Sequence, residues 1–459
     1  MRVLFATAEL APFVKVGGLG DAAAGLVRAL LGRDVDVEVV LPDYGDLPLA
    51  VTGRAPLDLP SWAGPVRQIR GSLDGFPTVT LIESPLLARP HPYNDDQGRG
   101  WPDNDIRFMI FSAAIAALAR IREPDVLHLN DWHTGGALGW LDAPPPSVFT
   151  IHNLAYQGQA PASWLARIPH RPEAYEWYGG TNPLTGAVAL ADRVTTVSPT
   201  FAIEARRPET GFGAHEALAA RGDDFTGILN GIDTEIWDPL TDPHLAIHYD
   251  SSNPGRKREI GRRLATDVGW SESDEPLIGM VTRLTDQKGV DLALDASTAL
   301  RQLGARMILL GAGERSLSDS ARSIAREMPD RFHFRDGYDE GLAHRIFAGS
   351  DLYLMPSRFE PAGLTQMQAM RYGSIPVVTD VGGLHDTVVD ADAHPESGNG
   401  LIARQPNTTA VADALGRGIR AWRSTKRRGE IRRRGMTHDW SWSEPASRYQ
   451  RLYFEITSP

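Results

Sequence analysis

Arg283 and Lys288 stand five residues apart in Arg283-Leu284-Thr285-Asp286-Gln287-Lys288-Gly289, directly after the apolar run 277–281. A guanidinium fork and an ammonium point charge at a strand end and helix start are suited to the growing charge of a departing diphosphate. Glu360 lies in Phe359-Glu360-Pro361-Ala362-Gly363-Leu364-Thr365-Gln366, after the run 352–355. An ionised carboxylate there accepts sugar hydroxyls, and the amides of Gly363, Leu364 and Thr365, opening the next helix, suit a phosphate. The same carboxylate also serves as an N-terminal helix charge, worth about 0.3–1 kcal/mol. Near the start of the chain, Lys15-Val16-Gly17-Gly18-Leu19-Gly20-Asp21 follows the short run 3–5 and precedes Ala/Leu-rich sequence. Gly17 and Gly18 let the backbone approach a ligand, the free N–H groups of the new helix favour an anion, and Lys15 adds positive charge.

A second constellation is polar. Asp131-Trp132-His133 closes the run 126–129, and His152-Asn153 closes the run 148–151. Carboxylate, amide and imidazole groups beside an indole suit a sugar, whose hydroxyls want directional partners and whose face wants a ring. His133 and His152 do not stand at His-x-x-x-His helix spacing and the residues lie on separate strands, so no metal is expected there. Tyr338, after the run 332–334, either stacks on a purine or anchors a helix start; spacing alone does not choose.

These residues need a scaffold that gathers strand ends. Short apolar, β-branched runs recur at 35–41, 79–82, 126–129, 148–151 and 194–197, then at 277–281, 307–310, 332–334, 352–355 and 375–378. They alternate with longer Ala/Leu-rich stretches. That is the pattern of parallel sheets buried on both faces, and it occurs twice. Between the two series lies the Pro- and Asp-rich segment 237–243, the expected hinge. Two doubly wound domains follow, over 1–237 and 238–439, with ligands at the carboxyl ends of their strands.

The 459 residues exceed one ordinary core. No run approaches the ~20 apolar residues of a membrane span, and Glu9 interrupts the only stretch resembling a signal peptide. The absence of cysteine excludes thiolate chemistry and suits a reducing cytoplasm. A net charge of −11 argues against a nucleic-acid partner. The basic cluster at 426–434 reads as a solvated helix face.

With these motifs assembled, the chain resembles the bacterial glycogen synthases and their relatives, the plant starch synthases. The resemblance covers nearly the whole length. It rests on KVGGLGD at 15–21, NDWH at 130–133, TIHNLAYQG at 150–158, NGID at 230–233, TRLTDQKG at 282–289, SRFEPAGLTQ at 357–366 and the Trp440-Ser441-Trp442 tail. It implies a GT-B glycosyltransferase fold, two Rossmann-like domains facing a central cleft, with the segment 440–459 returning to the first domain. The implied reaction moves glucose from ADP-glucose to the non-reducing end of an α-1,4-glucan with retention, and needs no cofactor, metal, nucleic acid or membrane. By the family's pattern Lys15, Gly17 and Gly18 contact the donor diphosphate, and Arg283 and Lys288 hold the phosphates of departing ADP. Glu360 takes the glucose hydroxyls, with Gly363, Leu364 and Thr365 beside it, and Tyr338 stacks on adenine. Asp131, His133, His152, Asn153 and Asn230 complete the sugar pocket, His152 nearest the reacting carbon.

Ala362 stands where many relatives carry cysteine, and the segment 44–101 is short, which bears on acceptor affinity. No pair of carboxylates suits double displacement, so a front-face path assisted by the leaving phosphate is expected. The alternatives are a glycosyltransferase using UDP-glucose or another nucleotide sugar, and a non-catalytic glucan-binding protein. A pyridoxal-phosphate-dependent phosphorylase fits the motif set poorly.

Overall fold

The computed structural model describes residues 1–458; Pro459, the last residue of the expected returning segment, lies outside the described residues. The chain divides into two compact units, one formed by Met1–Gly231 together with the chain from Trp442 on, the other by Ile232–Ser441.

In the first unit the strands are β1 (Arg2–Ala6), β2 (Asp36–Pro42), β3 (Ala50–Pro56), β4 (Arg67–Leu73), β5 (Phe76–Glu83), β6 (Val126–Asn130), β7 (Ser147–Ile151), β8 (Ala160–Pro161), β9 (Glu176–Trp177), β10 (Gly180–Thr181), β11 (Arg193–Thr196) and β12 (Phe225–Gly227). Nine of them make one sheet in the order β12-β11-β7-β6-β1-β2-β5-β4-β3. The runs expected from the sequence form its parallel centre, where β6 and β7 are buried along their whole length. The edge departs from the parallel pattern: β3, β4 and β5 pair antiparallel. Asp74-Gly75 turns β4 into β5, with Gly75 at φ +76°, the local chemistry of a tight hairpin.

The sheet order reverses between β1 and β6, so the ends of β1, β6 and β7 lie together at a switch point, where open α/β sheets bind ligands. The helix Ser443–Thr457 packs Tyr449, Leu452 and Tyr453 into the core that holds Phe5, Val126 and Val148. A Cβ on Gly25 would sit 2.0 Å from the Trp442 indole nitrogen, so that glycine lets the tail close against the helix Gly18–Leu31. Tyr453 Oη and Thr150 Oγ1 lie 2.6 and 2.7 Å from the two ring nitrogens of buried His128.

The second unit holds β13 (Leu277–Val281), β14 (Arg306–Gly311), β15 (Phe332–Asp336), β16 (Leu352–Met355), β17 (Ile375–Thr379) and β18 (Leu401–Ala403), all parallel, ordered β15-β14-β13-β16-β17-β18. Its switch point falls between β13 and β16. The expected hinge at 237–243 is not a free linker. Trp237 stacks on His344 at 4.1 Å and 14°, and buried Asp242 accepts from Tyr372 Oη at 2.6 Å and pairs with His344 Nδ1 at 2.8 Å. Asp238 is paired with Arg371. Aromatic stacking, the buried hydrogen bonds of Asp242 and the partly exposed Asp238–Arg371 ion pair bind the segment into the second unit, which moves the boundary from 237/238 to Gly231/Ile232 and the return from 439/440 to Ser441/Trp442.

Candidate active site

In the first unit the glycine loop is shaped by a residue outside the expected set. Buried Glu9 accepts the N–H groups of Val16 and Gly17 at 2.7 and 3.0 Å on one carboxylate oxygen, and the Tyr93 hydroxyl at 2.8 Å on the other. This carboxylate holds the loop open at the start of the helix Gly18–Leu31, whose N-cap, Gly17, makes no side-chain capping bond. The first-turn amides and the open face of Gly17, where an added Cβ would meet nothing within 4 Å, form a cradle for an anion. Lys15 stands at its edge, 2.9 Å from Asp21.

Across the switch point, Asn130 ends β6 and donates to Ala6 O at 2.9 Å, and its Oδ1 lies 2.9 Å from His152 Nε2. With the amide nitrogen committed to Ala6, the tautomer that satisfies the pair has His152 Nε2 donating and Nδ1 bare. Burial holds the His152 pKa down to about 3, so the imidazole is neutral at pH 7. Asp131 occupies φ +56°, ψ 176°, a region almost confined to glycine and costing about 1–3 kcal/mol. In that conformation its Oδ1 accepts the N–H groups of His152 and Asn153 at 2.7 and 3.3 Å. Burial outweighs these bonds and raises the Asp131 pKa to about 7, with Glu9 adding repulsion. The strained turn thus fixes the backbone of the next strand end.

His133 is set differently. Tyr93 stacks on its ring at 4.9 Å and 25°, Phe108 meets it edge-on at 4.7 Å, and Trp132 lies at 4.2 Å. Its Nδ1 is buried without a partner among the described residues, and burial lowers its pKa to about 3. Asn153 folds its Oδ1 back onto Ala155 N at 3.1 Å. Asn230 is buried just before the unit boundary.

In the second unit one glycine brings the cations to the carboxylate. Gly289 has φ +60°, and a Cβ on it would lie 2.0 Å from Pro356 O, so only glycine lets the loop after β13 close on the end of β16. There Lys288 Nζ sits 2.6 Å from Glu360 Oε2, which also accepts from Ser357 Oγ at 3.0 Å. Arg358 stitches the two loops through Gln287 O and a forked pair with Asp291. Arg283 is exposed and forms no ion pair or side-chain hydrogen bond among the described residues. Gln366 holds the turn after Glu360 through Ala362 O and Gly363 O at 3.2 and 3.0 Å. The helix Thr365–Arg371 opens without a side-chain cap, and Gly363 stands at φ +66° before it. Tyr338 is 73% exposed, and the helix start beside it is capped by Asp339, whose side chain accepts from Leu342 N at 2.8 Å.

The expected residues therefore gather in two clusters, each at the switch point of its own sheet, save Tyr338 at the end of β15 and Asn230 near the boundary. Glu9, Tyr93, Asn130 and Ser357 also belong to these clusters, though the sequence assigns none of them a site role. Asn130 and Ser357 open the motifs NDWH and SRFEPAGLTQ, Glu9 is a charge beside a buried apolar run, and Tyr93 carries no local signal.

Residues 2–220 match the family model described as the starch synthase catalytic domain, and residues 267–434 match glycosyl transferases group 1. The chain is 43% identical over 474 residues to a glycogen synthase of Halorhodospira halophila, covering 100% of this chain and 99% of that one. It is 41% identical to a glycogen synthase of Anaeromyxobacter dehalogenans, with 99% of each chain covered. The solved catalytic domain of starch synthase IV from Arabidopsis thaliana, bound to ADP and acarbose, superposes with a TM-score of 0.88 at 34% identity, covering 100% of this chain and 99% of that one. A sucrose-phosphate synthase from Thermosynechococcus elongatus shares the fold at a TM-score of 0.64 and 17% identity, over 99% and 98% of the two chains. No helix among the described residues is long and apolar enough to cross a membrane.

Proposed function

The chain belongs to the glycogen and starch synthase family of GT-B glycosyltransferases, and on that premise we propose that it transfers glucose from ADP-glucose to the non-reducing 4-hydroxyl of an α-1,4-glucan with retention of configuration. The observation that carries this reading is the Lys288–Glu360 pair at the second unit's switch point, beside unpaired Arg283. Cation and carboxylate stand together where a sugar diphosphate needs both.

In this reading Arg283 and Lys288 bind the diphosphate, and Glu360 turns toward glucose hydroxyls the oxygen that takes no bond from the protein. The amides of Gly363, Leu364 and Thr365 support the phosphate, and exposed Tyr338 covers the adenine. In the first unit Lys15, the open face of Gly17 and the amide of Gly18 offer a cradle suited to an anion, the Gly17 N–H itself being held by Glu9. The bond between the glucose C1 and the phosphate oxygen breaks, ADP leaves with the electron pair, and the acceptor hydroxyl attacks from the face the phosphate vacates. Its proton passes to the leaving phosphate. The front-face path needs no covalent sugar–enzyme intermediate: Glu9 has both oxygens engaged on the glycine loop and Tyr93, and Asp131 Oδ1 is engaged on the amides of His152 and Asn153. His152, neutral at pH 7, offers polar contacts near C1 without a charge competing with the cationic sugar of the transition state. Asp131 and Asn130 position it, and His133, Asn153 and Asn230 shape the pocket. A cysteine-free chain is consistent with work in the cytoplasm.

The test is incorporation of label into precipitated glycogen from radiolabelled ADP-glucose and, in parallel, UDP-glucose. Incorporation chiefly from ADP-glucose is expected. Incorporation chiefly from UDP-glucose overturns the donor, and none from either overturns the activity.

A further inference from the structure

Three segments of the first unit display aromatic rings that the transfer chemistry does not use. β9 and β10 form a hairpin in which Trp177 pairs with Gly180, leaving Tyr178-Gly179 as a two-residue turn. Both turn residues have positive φ, +45° and +77°. Such turns ordinarily carry Asn-Gly, and a bulky residue at positive φ is an outlier. Tyr178 is 87% exposed, the most open of the large apolar side chains among the described residues, and its ring stands perpendicular to Trp177 at 4.9 Å. Phe212, at φ +47° between Gly211 and Gly213, repeats the pattern, and a Cβ on Gly213 would lie 3.4 Å from the Trp177 ring. Tyr156 is also exposed. Strained residues of this kind concentrate where ligands are held.

The three segments are braced to the sugar half-site. Buried Gln157 donates to Phe212 O at 2.8 Å and accepts from Asn182 Nδ2 at 2.8 Å. It lies in the same loop as His152 and Asn153. No cation occurs in residues 153–158, 176–182 or 211–213, so the patch suits neither anionic lipid nor nucleic acid. Exposed aromatic faces, two of them tipped by hydroxyls, on segments braced through Gln157 to the loop of His152 and Asn153, match a neutral chain of pyranose rings.

We propose that Tyr178, with Trp177, Phe212 and Tyr156, forms a docking platform for the α-glucan acceptor, holding chain remote from the reacting end. This rests on the glucosyl-transfer reading above. The test uses Tyr178→Asn, which removes the ring while tolerating positive φ, the double variant Tyr178→Asn/Phe212→Asn, and Tyr178→Phe, which keeps the ring. Retardation in glycogen-containing native gels gives affinity directly, and initial rates give kcat and KM for glycogen and for ADP-glucose. We expect Tyr178→Asn to weaken glycogen binding about three- to tenfold, the double variant to weaken it further, and Tyr178→Phe to match the unaltered protein. The kcat and the KM for ADP-glucose are expected to stay unchanged. Unchanged retardation of the double variant overturns the platform. So does a fall in apparent size on gel filtration with glycogen binding intact, which makes the patch a self-association surface. Ring-dependent glycogen binding by a protein that transfers no glucose supports the platform while the catalytic reading fails.

Discussion

Asp131→Asn probes the strained turn most directly, because asparagine keeps an acceptor for the His152 and Asn153 amides and tolerates positive φ while losing the titratable group. The folded pKa of Asp131 is raised from 3.8 to about 7. Between those values the folded state binds more protons than the unfolded chain. The contribution of Asp131 to stability is therefore highest below the unfolded pKa, falls as pH rises through the window, and levels off above about pH 7. At 1.36 kcal/mol per unit, ionising the buried carboxylate costs about 4 kcal/mol in full, of which about 2 kcal/mol develops between pH 5 and 7. Asparagine carries no such term, so the variant is more stable than the unaltered protein by a margin that widens with pH. For a unit of this size the widening corresponds to roughly 4–8 °C in midpoint. Scanning calorimetry of both ligand-free proteins at pH 5, 6, 7 and 8 measures it. Midpoints that run parallel across that range, or converge toward pH 8, refute the reasoning: the carboxylate would then be ionised throughout and its burial balanced by its bonds.

Glu360→Gln and Lys288→Met each remove one partner of a part-buried pair and are expected to lower kcat about 10²–10³-fold and to lower the thermal midpoint. The double variant regains the midpoint, since no lone charge remains buried, but not the rate; recovery of both would remove the pair from catalysis. Gly289→Ala, which meets Pro356 O at 2.0 Å on a positive-φ backbone, should separate Lys288 from Glu360. It is expected to cut turnover more than tenfold while circular dichroism stays near that of the unaltered protein. Tyr453→Phe leaves the buried Nδ1 of His128 without its partner and should cost about 1–3 kcal/mol, read in urea unfolding; a loss under 0.5 kcal/mol would show the helix Ser443–Thr457 to be held by packing alone.

Local chemistry made much of this protein legible from its sequence. Runs such as 126–129 and 148–151 are apolar throughout because both faces of a parallel strand are buried, so the strands, their double series and the polar residues at their ends could be read directly. β3 left no such mark: almost every residue from Ala50 to Pro56 is exposed, and an edge strand without a buried face has no hydrophobic pattern to betray it.

Whether a polar residue is solvated or put to use was decided only in three dimensions. Glu9 is a carboxylate in an apolar neighbourhood until Tyr93, 84 residues away, and two loop amides converge on it. Residues 237–243 have the composition of a linker, yet His344 and Tyr372, about a hundred residues or more downstream, make them part of a core. Lys288 and Glu360 are 72 residues apart and meet because Gly289 lacks a side chain. Periodicity and turn chemistry act over a few residues, whereas the burial of a charge depends on the partners that arrive with it.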